Sequence, residues 1–202
     1  YHADPNTHKM PPTPNGHGME GLLNDIPATD GSKVFLRQMH VAGGSRKGGT
    51  HLFTSGGYLD DSWFNRTFWH AGWVKTSGVM VLGRDDRAYG VEMYRNSNRD
   101  TNFTPGKSDY RLRCFSRTRP EGKLNRQQRR RGPQPLWEKN VGIRITAMVR
   151  AGERLFAAGS PDVVDPADPH AAWEGRKGGR LAVFACGDGA KLAEHELPAP
   201  PA

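Results

Sequence analysis

The chain has 202 residues, 35% of them hydrophobic and 25% charged. Its mean hydropathy is −0.74, lean for one large core, and it holds no run of 18 apolar residues, so no transmembrane helix is expected. Gly 25 and Pro 15 favour many turns and short strands, which points to an all-β class. Lys+Arg 29 against Asp+Glu 21 gives a net charge of +8, and nine basic residues fall between Arg111 and Arg131 against Glu121 alone. No zinc-finger spacing, RNP-like motif or recognition helix accompanies them, so the run reads as a solvated loop and nucleic acid is not the expected partner.

Residues 1–20 are rich in Pro, His, Asn and Gly without helical or strand period, and are read as an irregular opening segment. A small pattern then recurs. Asp30-Gly31-Ser32-Lys33-Val34-Phe35, Asp85-Asp86-Arg87-Ala88-Tyr89 and Ala151-Gly152-Glu153-Arg154-Leu155-Phe156 each place a turn just before a basic residue, an aliphatic or Ala, and an aromatic. Each is expected to be a turn feeding a strand. Gly78–Gly83 and Ile143–Arg150 supply partner strands before the second and third turns, and Gly179–Leu197 forms a fourth hairpin about Gly187-Asp188-Gly189. Ser108–Phe115 reads as a further strand, and Pro161–Gly179 as a loop with one helical turn near Pro169–Glu174.

Lys33, Arg87 and Arg154 stand 54 and 67 positions apart, longer than a compact blade of about 40 to 50 residues, as insertions would make them. Repeated hairpins point to a β-propeller, with a sandwich as the runner-up. In Leu181–Cys186 neither alternate set of side chains is polar, as expected of a strand covered on both faces. Cys114 and Cys186 lie in such strand-like stretches without a C-x-x-C and are expected to be buried thiols.

The closing hairpin resembles the quinoprotein-type repeat, in which a strand such as G-x-L-x-A-x-D meets a T-G-K turn. Gly179, Leu181, Val183 and Ala185 match the strand, and Gly189 and Lys191 the turn; Cys186-Gly187-Asp188 and Ala190 depart from it, and no Trp closes the repeat. NGHGMEGLLND, HLFTSGGYLDDSWFNRTFWHAGW and LFAAGSPDVVDPADPHAAWEGRKGGRLAVF together resemble the C-terminal part of PQQ-binding-like β-propeller repeat proteins of planctomycete-type bacteria. The resemblance implies a secreted or periplasmic protein, with more propeller than these residues hold. PQQ and calcium are the cofactors it implies, yet no position here matches the calcium or base ligands of quinoprotein dehydrogenases, and Cys114 and Cys186 cannot form their vicinal disulfide.

The expected fold is thus a partial β-propeller of imperfect antiparallel blades with long inserted loops. Residues 21–202 would form about three to four blades, with insertions near 51–77, 116–136 and 160–178. The expected role is a non-catalytic scaffold or ligand-binding module with a protein or glycan partner. The alternative is a PQQ- and calcium-dependent alcohol or sugar dehydrogenase whose active site lies mostly elsewhere.

The stretch from Asp60 to His70 holds the strongest candidate site. Asp60 or Asp61 could pair with Arg66, while Trp63 or Trp69 offers a face for a planar ligand or sugar, with His70 beside them. The same residues also fit an inter-blade plug. His8, Met10, His17 and Met19 form two H-x-M pairs of a kind that suits copper, although flexible segments commonly carry such residues. Asp162, Asp165 and Asp168 read as turn residues beside prolines rather than a calcium loop. No nucleophile elbow and no P-loop is present.

Overall fold

A computed structural model of the chain describes residues 26–37, 39–41, 50–54, 68–93, 110–119, 121–123, 125–126 and 132–201. It is all-β, with antiparallel strands in open sheets, and its contacts divide it into two units, Tyr1–Gly72 and Trp73–Ala202. No helix among the described residues is long and apolar enough to cross a membrane.

In the first unit, β1 (Ala28–Thr29), β2 (Val34–Leu36) and β3 (Met39–His40) form one sheet, and β4 (Leu52–Thr54) pairs with β5 (Trp69–Ala71). The β1–β2 turn forms because the Asp30 carboxylate accepts from the backbone N–H groups of Ser32 and Lys33, both at 3.0 Å, while Gly31 takes φ 92°. Phe35, 1% exposed, is its core anchor.

The second unit begins with β6 (Val74–Thr76), followed by β7 (Met80–Leu82), β8 (Arg87–Glu92), β9 (Arg111–Ser116) and β10 (Trp137–Asn140). Strands β7 to β10 form a four-stranded meander. The Asp85-Asp86 turn joins its first two strands, as expected from the sequence. Strand β6 lies on the face of β8 that carries Ala88 and Gly90, with Thr76 filling the space a Cβ at Gly90 would occupy. Val141-Gly142 then leads into a second meander of β11 (Ile143–Ala151), β12 (Arg154–Pro161), β13 (Gly179–Ala185) and β14 (Lys191–Leu197). Gly142 has φ 62°, a conformation that makes so short a corner accessible.

The two meanders pack face to face. Tyr89, Val91, Leu112 and Cys114 of the first share one buried cluster with Ile143, Leu155, Ala157, Phe184 and Cys186 of the second. Strand β11 changes face on the way. Ile143 and Ile145 are buried in that cluster, a bulge follows between Ile145 and Ala147, and thereafter Met148 packs inward instead. One extra residue reverses every later side chain of a strand.

The faces of β13 differ. Ala182, Phe184 and Cys186 are wholly within the inter-sheet core, whereas on the opposite face Val183 is buried and Leu181 and Ala185 are half-buried. The recurring turn pattern also differs between copies. In the first two its aromatic, Phe35 or Tyr89, is the core residue; in the third Leu155 is buried and Phe156 occupies the outer face. The basic run is not wholly a loop either: Arg111 and Arg113 lie on β9 and pair across the sheet with Glu138, and Arg113 also with Glu92 at 3.6 Å. Arg129, Arg130 and Arg131 are outside the described residues.

Candidate functional site

Three arrangements in the structure bring chemistry-bearing side chains together. The first is a buried node between the meanders. Strand register sets Tyr89, Cys114 and Trp137 side by side across β8, β9 and β10, and the end of β13 lies over them. The Cys186 carbonyl there accepts from Arg87 Nη1 at 3.1 Å, Trp137 Nε1 at 3.0 Å and the Tyr89 hydroxyl at 3.5 Å. The Arg150 guanidinium lies 5.5 Å from the Tyr89 ring centroid and donates to Asp85 at 2.7 Å and Glu153 at 3.1 Å. The Cys186 N–H donates to the Glu153 carbonyl, so the node is continuous with the β11–β12 turn.

Its electrostatics hold protons in place. Burial pushes the Cys114 thiol up to about 11 and lifts the Tyr89 phenol further above its ordinary range. Both groups therefore stay neutral near pH 7, and both cysteines are free, in line with the buried thiols expected from sequence. The hydrogen bond from Arg150 holds the Asp85 carboxyl below its ordinary 3.8. For Asp86 partial burial works upward, but hydrogen bonds from Ser116 and Thr118 prevail and its carboxyl is lowered as well.

A depressed carboxyl contributes stability above the unfolded value and loses it as pH falls through the folded one. Replacement Asp85→Asn should therefore flatten the acid limb of the stability profile below about pH 4. Urea midpoints of both proteins across that range check this. Parallel acid limbs would show that the Asp85–Arg150 pair contributes no pH-dependent stability.

The second arrangement is a ring stack in the first unit. Phe35 and His51 stack at 4.0 Å between centroids, His51 and Phe53 at 5.2 Å, and Phe53 and His70 at 4.8 Å. Cross-strand pairing of Phe53 with His70 fixes the last contact. His51 is 4% exposed; its Nε2 lies 2.6 Å from the Arg37 carbonyl, and its buried Nδ1 has no hydrogen-bond partner among the described residues.

The third is the loop between β12 and β13. Asp165 accepts from the Ala167 N–H at 3.0 Å and pairs with Lys177 at 2.9 Å. Arg176 pairs with Asp168 at 2.7 Å and also with Glu174, and the Glu174 N–H donates to the His170 carbonyl at 2.9 Å, closing the expected helical turn. Ala171 and Ala172 are buried and anchor the loop, while Trp173 is 56% exposed. Arg144 lies 5.7 Å from the Tyr110 ring centroid and 6.0 Å from that of Trp173. At the base of the loop is a cleft of 240 Å³ whose walls include Pro161, Val163, Lys177, Arg180 and Glu196.

Of the residues singled out in the sequence, Trp69 and His70 lie on β5, where His70 joins the ring stack. Asp60, Asp61, Trp63 and Arg66 lie outside the described residues, as do His8, Met10, His17 and Met19. No group of three His, Cys, Asp or Glu side chains that could hold a metal ion occurs among the described residues. The sequence does not announce the node, although the Arg87-Ala88-Tyr89 pattern contains two of its members. Comparison with family models, with curated proteins and with solved structures returns no match for this chain. The class that fold and site define is an all-β protein of stacked antiparallel meanders.

Proposed function

We propose that the chain is part of a β-propeller-type, quinoprotein-like scaffold of a secreted or periplasmic protein, which binds a ligand or partner without catalysing a reaction. The observation that carries this reading is the succession of meanders. Two four-stranded sheets follow one another directly in sequence and share one core, and their first strands, β7 and β11, are neighbours. Blades of a propeller repeat in this way.

None of the carboxyl, thiol and phenol groups with displaced titration among the described residues is moved toward neutrality. A general base works best with a pKa near the operating pH, but Asp30, Asp85, Asp86, Asp165 and Glu194 are all moved down and Cys114 and Tyr89 up. Each shift takes its group further from neutrality.

Titration of the protein with PQQ, with and without calcium and followed by absorbance, tests the reading. No saturable binding is expected. Calcium-dependent saturation would replace it with a quinone-dependent dehydrogenase.

A further inference from the structure

The β12–β13 loop presents Trp173 in a way that packing does not require. A large aromatic ring more than half exposed forgoes much of its burial energy, yet this loop is tied down around it. Backbone hydrogen bonds from Ala171 to Asp168, Glu174 to His170 and Arg176 to Ala171 close successive turns. Asp165–Lys177 and Asp168–Arg176 bridge the loop, and Gly175, at φ 83°, lies against Pro200. The indole itself is placed by Arg144, which also lies at the Tyr110 ring. The ring is therefore exposed at a constrained position, an arrangement that lowers the ordering cost of binding.

We propose that Trp173 is the stacking platform of a carbohydrate site on this loop, for a neutral oligosaccharide. The inference rests on the ligand-binding reading above and names its ligand class. The apolar C–H face of a pyranose matches a single indole. A protein partner would instead need an interface of about 800 Å² on each side, whereas the exposed large apolar residues of this loop are Val163, Val164 and Trp173. The loop's cations Arg176 and Lys177 are each paired with carboxylates of the same loop, which selects against a polyanion. Those paired groups are donors and acceptors for hydroxyls, the Arg176 guanidinium and its carboxylates in planar geometry. Arg180 and Glu196 in the cleft at the loop's base add two more, and its 240 Å³ is small beside drug-sized pockets of about 300 to 1,000 Å³.

Isothermal titration of the full chain with cellohexaose and with maltohexaose tests this, alongside Trp173→Ala and Trp173→Phe. One glucan should bind, Trp173→Ala should weaken it at least about tenfold, and Trp173→Phe should retain most of the affinity. A melting temperature unchanged in Trp173→Ala would show that the loss is local. No heat from either glucan at millimolar concentration would overturn the proposal, as would equal affinity in Trp173→Ala. A protein that ignores PQQ and glucans alike loses this site and keeps the scaffold; one that saturates with PQQ loses the non-catalytic reading whatever the glucans do.

Discussion

Replacement of Gly159 by Ala should destabilise the second unit by about 3 kcal/mol, at the upper end of what overpacking costs. Gly159 lies within β12, between β11 and β13, opposite Ile145 on one side and Arg180 on the other. A glycine inside a strand is normally a weakness, and here it has a cause. Where β11 bulges after Ile145, its backbone closes on β12. A Cβ at Gly159 would fall on the Arg144 carbonyl oxygen, with the carbonyl carbon 2.7 Å away.

Those atoms are backbone, so no rotamer change relieves the clash, and β11 must shift away from its partner. Gly152 supplies the control. It has φ 58° and open space around its Cβ direction, so Gly152→Ala should cost only about 1 to 2 kcal/mol of left-handed strain. Urea unfolding of both variants separates the cases. A Gly159→Ala cost no larger than that of Gly152→Ala would mean that the strands do not approach so closely at the bulge.

This bulge also shows why part of the fold was legible in the sequence and part was not. Hairpin turns are local: Asp30-Gly31, Asp85-Asp86, Gly152 and Asp188-Gly189 carry their own hydrogen bonds or positive φ, so the residue types announce the geometry. The inward face of β11 is not local. In IRITAMVR either alternate set is partly apolar, and the extra residue near Thr146 leaves no composition signal. The node is less legible still, because Arg87, Trp137 and Cys186 meet only once two sheets have stacked. In the sequence Trp173 is one residue of an insertion near 160–178; its exposure and its contact with Arg144 belong to tertiary structure. Of the stretch from Asp60 to His70, the described candidates Trp69 and His70 lie on β5 opposite Thr54 and Phe53, and His70 connects the sequence reading to the ring stack.

Phe184→Ala should be the most damaging single truncation, costing about 3 to 5 kcal/mol. Phe184 is 2% exposed and lies directly opposite Leu155, itself fully buried, in the cluster that both meanders share. Its position over the junction matters as much as its area. A cleft of 130 Å³ bounded by Phe184, Lys139, Val141 and Gly189 already lies where β10 meets the β13–β14 turn. Removal of the ring would enlarge that opening and admit water to the core, instead of leaving a cavity that the sheets could close.

The packing around Gly189 limits collapse on the same side, since a Cβ there would already meet Lys139 Cγ at 3.0 Å and the Trp137 ring closer still. With domain stabilities of about 5 to 15 kcal/mol, the loss could consume most of what holds the second unit together. Leu181→Ala, on the half-buried face of the same strand, should cost much less. A urea series on both variants tests the asymmetry. Equal losses would mean that the two faces of β13 are equally covered in solution, and that something packs against Leu181 and Ala185 as closely as the first meander packs against Phe184.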